Sequence, residues 1–370
     1  MTDRPRLTAL AERLPATVPF VGPEAQERAR GQPFRARIGA NESGFGPSPR
    51  VVQAMAAVAP EMWKYCDPEN HDLRVAVARH LGVKAENVVV GEGIDGLLSL
   101  TVRLHVSEGT PVVTSLGAYP TFNFHVVGFG GRIVAVPYAN DREDLDALLE
   151  AVKAEGAPLV YLSNPDNPMG TWWEADEVEA FAAALPASTL LVLDEAYGET
   201  APEGTLPPID VSRPNVLRLR TFSKAYGLAG LRCGYAVGDA ALISAFEKIR
   251  SHYGVNRMAQ AAGLAALADQ GYLATAVGRI AAARARIADI AHANGLAPLP
   301  SATNFVAIDC GGDGAFALKV MQALLAHDVF VRKPMAPGLD RCIRISCGPD
   351  ADLDIFEEEL PGALAEARGN

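Results

Sequence analysis

Leu190-Leu191-Val192-Leu193-Asp194-Glu195-Ala196-Tyr197 opens with four consecutive apolar residues and stops on an acid. A run that short, with no polar residue alternating through it, fits a strand buried on both faces. The same signature recurs outward from it in Val88-Val89-Val90, Pro111-Val112-Val113-Thr114, Ile133-Val134-Ala135-Val136, Leu159-Val160-Tyr161-Leu162, Val216-Leu217-Arg218-Leu219 and Tyr235-Ala236-Val237. Helical patterns separate these runs, so the expected fold is α/β, a mostly parallel sheet sandwiched by helices.

From about Met258 to Asn294 the chain is Ala-rich, with Leu, Ile and Val at helical spacing, which predicts long helices leaving the sheet. Beyond them, Asn304-Phe305-Val306-Ala307-Ile308, Val329-Phe330-Val331 and Cys342-Ile343-Arg344-Ile345-Ser346 read as strands around a helix from Ala315 to His327. The expected organisation is an N-terminal arm over residues 1–40, a large ligand-binding domain over 41–270 and a small α+β C-terminal domain over 271–370. There is no repeat, low-complexity tract or long linker.

With 370 residues, 49% of them hydrophobic, the chain can bury the core of two domains. A net charge of −11 repels polyanions, so small molecules rather than nucleic acid are the expected partners. The polar start Met1-Thr2-Asp3-Arg4-Pro5-Arg6 carries no apolar leader segment, and no stretch of about 18 uncharged apolar residues follows. These features predict a cytoplasmic chain without a membrane partner. The five cysteines, Cys66, Cys233, Cys310, Cys342 and Cys347, are scattered and read as free thiols. The seven histidines show no ligand spacing, which argues against a metal site.

Ligands of open α/β sheets sit beyond the carboxyl ends of the strands. After Val88-Val90 comes Gly91-Glu92-Gly93-Ile94-Asp95-Gly96 and a helix start, whose free N–H groups suit a phosphate. After Leu162 comes the turn-rich Ser163-Asn164-Pro165-Asp166-Asn167-Pro168-Met169-Gly170, then Asp194 ends the next run, and Thr221-Phe222-Ser223-Lys224 ends the one after. An amine that can form an imine, thirty residues beyond a carboxylate that can pair with a pyridinium nitrogen, meets the requirements of pyridoxal phosphate. The segment at Gly91 also matches the dinucleotide fingerprint G-x-G-x-x-G. That reading needs an acid at the end of the next strand, where this chain has Thr114-Ser115-Leu116-Gly117.

Five ordered stretches carry a family resemblance: the loop near Gly93, Tyr119-Pro120-Thr121-Phe122, Asn164 to Gly170, Asp194-Glu195-Ala196-Tyr197, and Ser223 to Arg232. The chain resembles the class I and II aminotransferases of pyridoxal-phosphate fold type I, and among them the histidinol-phosphate aminotransferase branch. The resemblance runs from Ala40 to Arg344. It implies that Lys224 holds the cofactor as a Schiff base and shuttles a proton, and that Asp194 keeps the pyridine nitrogen protonated. It implies that Asn167 and Tyr197 bond the phenolic oxygen and that Phe122 stacks on the ring. Gly93, Ile94, Asp95, Thr221, Ser223 and Arg232 would hold the phosphate, joined by Tyr65 from a neighbouring subunit, which implies a homodimer with shared active sites. Taken one at a time, each of these residues has an ordinary structural use: a helix cap, a turn former, a core aromatic or a surface ion pair. Their joint occurrence at consecutive strand ends favours the functional reading.

On a strand of period two, Cys342, Arg344 and Ser346 share one face and Ile343, Ile345 and Cys347 the other, so Arg344 can face a cleft. The resemblance makes Arg344 a clamp for a substrate carboxylate or phosphate, with Arg332, Asn304 and Asn41 as further substrate-side residues. The chain departs from the family pattern at Ser43-Gly44, Ile94, Gly96 and Cys66. The implied function is a ping-pong aminotransferase using a donor such as glutamate and a histidinol-phosphate-like or aromatic substrate. A decarboxylase of a phosphorylated amino acid is the alternative within the same chemistry. A pyridoxal-phosphate-domain ligand sensor is the non-enzyme alternative, and the forty residues before Asn41 are few for the extra domain it needs.

Overall fold

A computed structural model of the chain describes residues 5–16 and 21–369. The strands, in chain order, are β1 (Ala36–Arg37), β2 (Val88–Gly91), β3 (Pro111–Ser115), β4 (Arg132–Val136), β5 (Leu159–Ser163), β6 (Leu190–Asp194), β7 (Val216–Thr221), β8 (Gly234–Val237), β9 (Ala297–Pro298), β10 (Phe305–Asp309), β11 (Val329–Phe330) and β12 (Cys342–Ser346). Seven of them form one sheet in the order β2-β8-β7-β6-β5-β3-β4. Strand β8 runs antiparallel to β2 and β7, and the pairings from β7 to β4 are parallel. No α-helix lies between β7 and β8, so the chain returns beside β7 in the opposite direction instead of crossing over.

Both faces of the sheet are covered, which is why its strands read as unalternated apolar runs. Leu159 and Tyr161 of β5 pack with Leu97, Phe122 and Val126 on one face. Val160 and Leu162 pack with Leu148, Val152 and Phe181 on the other. At the β2–β8 edge, Val88, Val90 and Tyr235 meet Leu73 and the helix Arg257–Ala268.

The helix Gln270–Ala293 leads out to a second layer, where β10 pairs antiparallel with β9 and β12, and β1 pairs parallel with β11. The helices Gly314–Ala326 and Asp350–Arg368 close its core around Ile343, Ile345 and Phe356. Ala36 and Ile38 belong to that same core. The end of the stretch expected as an N-terminal arm is therefore built into the second layer, because β1 supplies backbone pairing to β11. Of the polar start of the chain, Met1 to Arg4 lie outside the described residues.

The two layers are pinned together. Arg341 donates to both carboxylate oxygens of Asp141 at 2.9 and 2.8 Å and to Asp309 at 2.6 Å, while Met169 packs against Ala307, Leu339 and Cys342. Among the described residues, no helix is long and apolar enough to cross a membrane.

Candidate active site

The carboxyl ends of β2, β5, β6 and β7 converge on a cleft of about 230 Å³ lined by Asp95, Tyr119, Asp194, Tyr197, Lys224 and Arg232 among others. Strand register sets this convergence. Ser163 at the end of β5 lies beside Asp194 at the end of β6, and β7 continues into Thr221, Ser223 and Lys224.

The Lys224 ammonium donates to the Asn41 carbonyl at 3.1 Å and lies 5.5 Å from the centre of the Tyr197 ring. Burial, with the Arg344 charge adding to it, pushes its pKa down to about 8. An amine so tuned is partly neutral near pH 8 and can act as a nucleophile. Asp194 is 3% exposed, and burial raises its pKa to about 6 against the opposing bonds from the Tyr161 hydroxyl at 2.8 Å and the Ala196 amide at 3.0 Å. Among the described residues that carboxylate has two donors and no cation, and it opens on the cleft. A carboxylate so placed can accept from a protonated ring nitrogen.

The Tyr197 hydroxyl accepts from Asn41 Nδ2 at 3.2 Å and from Asn167 Nδ2 at 3.4 Å. Burial pushes that phenol up to about 12. Asn167 in turn accepts from Arg344 through Oδ1 at 2.6 Å, and the Arg344 guanidinium lies 4.9 Å over the Phe305 ring.

A phosphate cradle forms at the other end. The helix Gly93–His105 begins without a side-chain cap, so its first N–H groups have no partner of their own. Gly93 has φ +71°, and a Cβ there would stand 2.5 Å from an Arg232 nitrogen, so only glycine lets the guanidinium approach. Arg232 donates to Ser223 Oγ at 3.4 Å and to Asp95 at 3.3 Å, and the Thr221 hydroxyl donates to Ser223 Oγ at 2.9 Å. Uncapped amides, two hydroxyls and a guanidinium make a donor set for a phosphate, set apart from Lys224 and Asp194 in the same cleft. The residues present therefore fit a phosphorylated pyridine aldehyde.

Not every expected residue sits where the sequence suggested. Phe122, expected to stack on the ring, is wholly buried and lies on Tyr161 with ring centroids 4.6 Å apart and planes 19° apart. The helix Pro120–Gly128 begins just after Tyr119, so Tyr119 projects into the cleft while Phe122, inside the first turn, faces the core. Tyr119 is held there by its hydroxyl, which donates to Asp95 at 2.7 Å.

Asn304 is fully buried and does not line the cleft; its amide donates to the Asn41 carbonyl at 3.0 Å, so it holds the residue that holds Lys224. Asn41 itself, at φ +56°, is fixed further by Ser346, whose hydroxyl donates to Asn41 Oδ1 at 3.2 Å. Arg332 and Arg344 pair through their backbones, with Arg344 N–H donating to the Arg332 carbonyl at 2.6 Å, and the Arg332 side chain bonds the Val21 carbonyl. Tyr65 is 78% exposed, lies against Tyr253 with ring centroids 4.7 Å apart and planes 35° apart, and is not among the residues lining this chain's own cleft.

Tyr161 escaped the sequence reading, although a signal for it existed. A tyrosine inside the apolar run Leu159-Val160-Tyr161-Leu162 needs a partner for its hydroxyl, and parallel pairing puts Asp194 one strand away. Glu42 also lines the cleft; it was not among the residues expected there, although it follows Asn41, which was expected on the substrate side.

A family model described as aminotransferase class I and II matches residues 37–360. Histidinol-phosphate aminotransferase 1 of Nitrosococcus oceani is 36% identical over 348 residues, covering 93% of each chain. A crystal structure of histidinol-phosphate aminotransferase from Sinorhizobium meliloti in complex with pyridoxal-5'-phosphate is 58% identical, covers 99% of both chains and superposes with a TM-score of 0.96. Aspartate aminotransferase from Thermus thermophilus with maleate, at 22% identity and a TM-score of 0.83 over 98% of this chain and 100% of that one, shares the fold.

Proposed function

This chain belongs to the class I and II aminotransferase family, and we propose that it moves an amino group between glutamate and a histidinol-phosphate-like or aromatic partner by a ping-pong mechanism. Its cofactor is pyridoxal 5′-phosphate. When bound, that group supplies an aldehyde to take up the amine and a protonated ring to draw off the electrons of the breaking Cα–H bond. The observation that carries the reading is the placing of a lysine amine of lowered pKa and a buried carboxylate in one cleft.

The chain's own residues divide the task. Lys224 would hold the cofactor aldehyde and, as a free amine, would hold and return the proton of the substrate Cα. Asp194, oriented by Tyr161 and the Ala196 amide, pairs with the ring N–H. Tyr197 and Asn167 present an O–H and an N–H to the ring's phenolic oxygen, and Tyr119 covers the ring face. Gly93, Ile94, Asp95, Thr221, Ser223 and Arg232 position the phosphate, the first three through backbone amides of the helix start. Arg344, steadied by Asn167, takes the anionic end of the substrate, with Arg332 beside it, while Asn304 and Asn41 keep the Lys224 side of the cleft in register.

We further propose a homodimer in which Tyr65 reaches the neighbouring cleft, since its ring is exposed and does not line its own. The large and small domains divide near residue 270, where the helix Gln270–Ala293 leaves the sheet. A reducing compartment such as the cytoplasm suits five free, buried cysteines.

The test incubates the holoenzyme with histidinol phosphate and 2-oxoglutarate and follows glutamate formation beside CO₂ release. Glutamate without CO₂, abolished in Lys224→Ala, is the expected result. CO₂ without glutamate would favour the decarboxylase, and turnover by Lys224→Ala would refute the role given to that amine.

A further inference from the structure

We propose that Glu42 is a specificity-determining residue that takes an N–H-bearing ring or cationic group of the amino substrate. The proposal rests on the aminotransferase reading above and adds a residue role: Glu42 as the acceptor that tells one amine from another by the group each carries.

Three carboxylates line the cleft, those of Glu42, Asp95 and Asp194. Two are engaged within the protein. Asp194 accepts from Tyr161 and Ala196, and Asp95 from Tyr119 and Arg232. The Glu42 carboxylate makes no hydrogen bond or ion pair among the described residues. Glu42 is exposed where it lines the cleft, so its carboxylate is hydrated, and a substrate N–H can take the place of that water.

Its backbone, by contrast, is anchored. Asn41 is held at φ +56°, and the buried Asn304 amide donates to the carbonyls of both Asn41 and Glu42, at 3.0 and 3.4 Å. The Asn41 carbonyl also accepts from Lys224, so residue 42 is one peptide from the contact made by the reacting amine. The charge of Glu42 acts on Lys224 on one side and on Arg37 on the other, and Arg37 is already paired with Glu24. Glu42 thus stands on a fixed segment where the cleft opens to solvent. Arg344 does not itself line the cleft; it donates to Asn167, which does. A substrate whose anion runs to Arg344 and whose amine lies at Lys224 can turn a third group toward Glu42. Imidazole suits that position because it donates an N–H whether neutral or protonated, whereas a phenyl ring has nothing to give.

The experiment compares histidinol phosphate with phenylalaninol phosphate, which shares its amine and phosphate and differs in the ring, on wild-type holoenzyme, Glu42→Gln and Glu42→Lys. Glu42→Gln should lower the ratio of kcat/KM for the first over the second by about fivefold, and Glu42→Lys should lower it further. An unchanged ratio in both variants would overturn the proposal, and so would equal losses on both substrates, which would mean that residue 42 acts on the shared amine or on the fold. Should wild-type enzyme reject both phosphates yet transaminate aromatic amino acids, the substrate reading fails by itself. The same ratio taken on histidine and phenylalanine then decides the role of Glu42.

Discussion

Tyr161 illustrates how one hydroxyl sets the chemistry of a cleft. Its bond to Asp194 favours the ionised carboxylate against the burial that raises it to about 6. Tyr161→Phe removes a bond to a charged group while leaving the ring packed on Phe122. The pKa of Asp194 should therefore rise by about one unit, and the acid limb of the kcat/KM profile should move up with it. An unmoved limb would show that Asp194 does not govern it. Lys224 allows a second test at this scale. Its amine is held down to about 8, so the neutral fraction grows about tenfold per pH unit below that value and saturates above it. Cofactor uptake by the apoprotein, followed by the cofactor's absorbance, should accelerate from pH 6 to 8 and level off beyond. A rate independent of pH over that range would contradict the lowered pKa.

Strands β6 and β7 are joined by more than their ladder. Glu195, just past β6, accepts from Arg218 at 3.0 and 2.5 Å and from Arg220 at 2.9 Å, and it is wholly buried. Burial alone would raise its pKa, but the two guanidiniums outweigh that and hold it below the ordinary carboxylate range. The sign follows: its contribution to stability is complete above the ordinary carboxylate value and is lost as the pH falls through the lowered one. Glu195→Gln leaves two guanidiniums facing a neutral amide and should cost about 3–5 kcal/mol, read as a lower midpoint of thermal unfolding. A midpoint within a degree of the parent would mean that the cluster is solvated. At the same scale, the strands of the large sheet were legible because burial on both faces leaves continuous apolar runs. The helix after Tyr119 was legible too, but which of its aromatics faced the cleft was not. That depended on where the first turn begins, and Pro120 at the first helical position decided it.

Across the whole molecule, Met62, Trp63, Tyr65 and Tyr253 form an exposed apolar group on the side that carries Tyr65. A second copy covering that group would bury it and bring Tyr65 to the neighbouring phosphate cradle. Sedimentation should give a dimer, and Trp63→Arg should shift it toward monomer and raise the cofactor dissociation constant together. Monomer with undiminished cofactor affinity would separate the two effects and remove Tyr65 from the site.

Lys224, Asp194 and the helix start at Gly93 were legible in the sequence because each ends or follows a strand, and strand ends in an open α/β sheet share one edge. The apolar runs therefore determined the sheet and brought a lysine and an acid to one cleft. Only the tertiary structure decided that Asn304 serves Asn41, that Tyr119 rather than Phe122 faces the cleft, and that Glu42 opens onto it. The reason is physical. Periodicity records which side of an element is buried, whereas the partner of a buried polar group comes from a distant part of the chain, and only packing brings the two within hydrogen-bond reach.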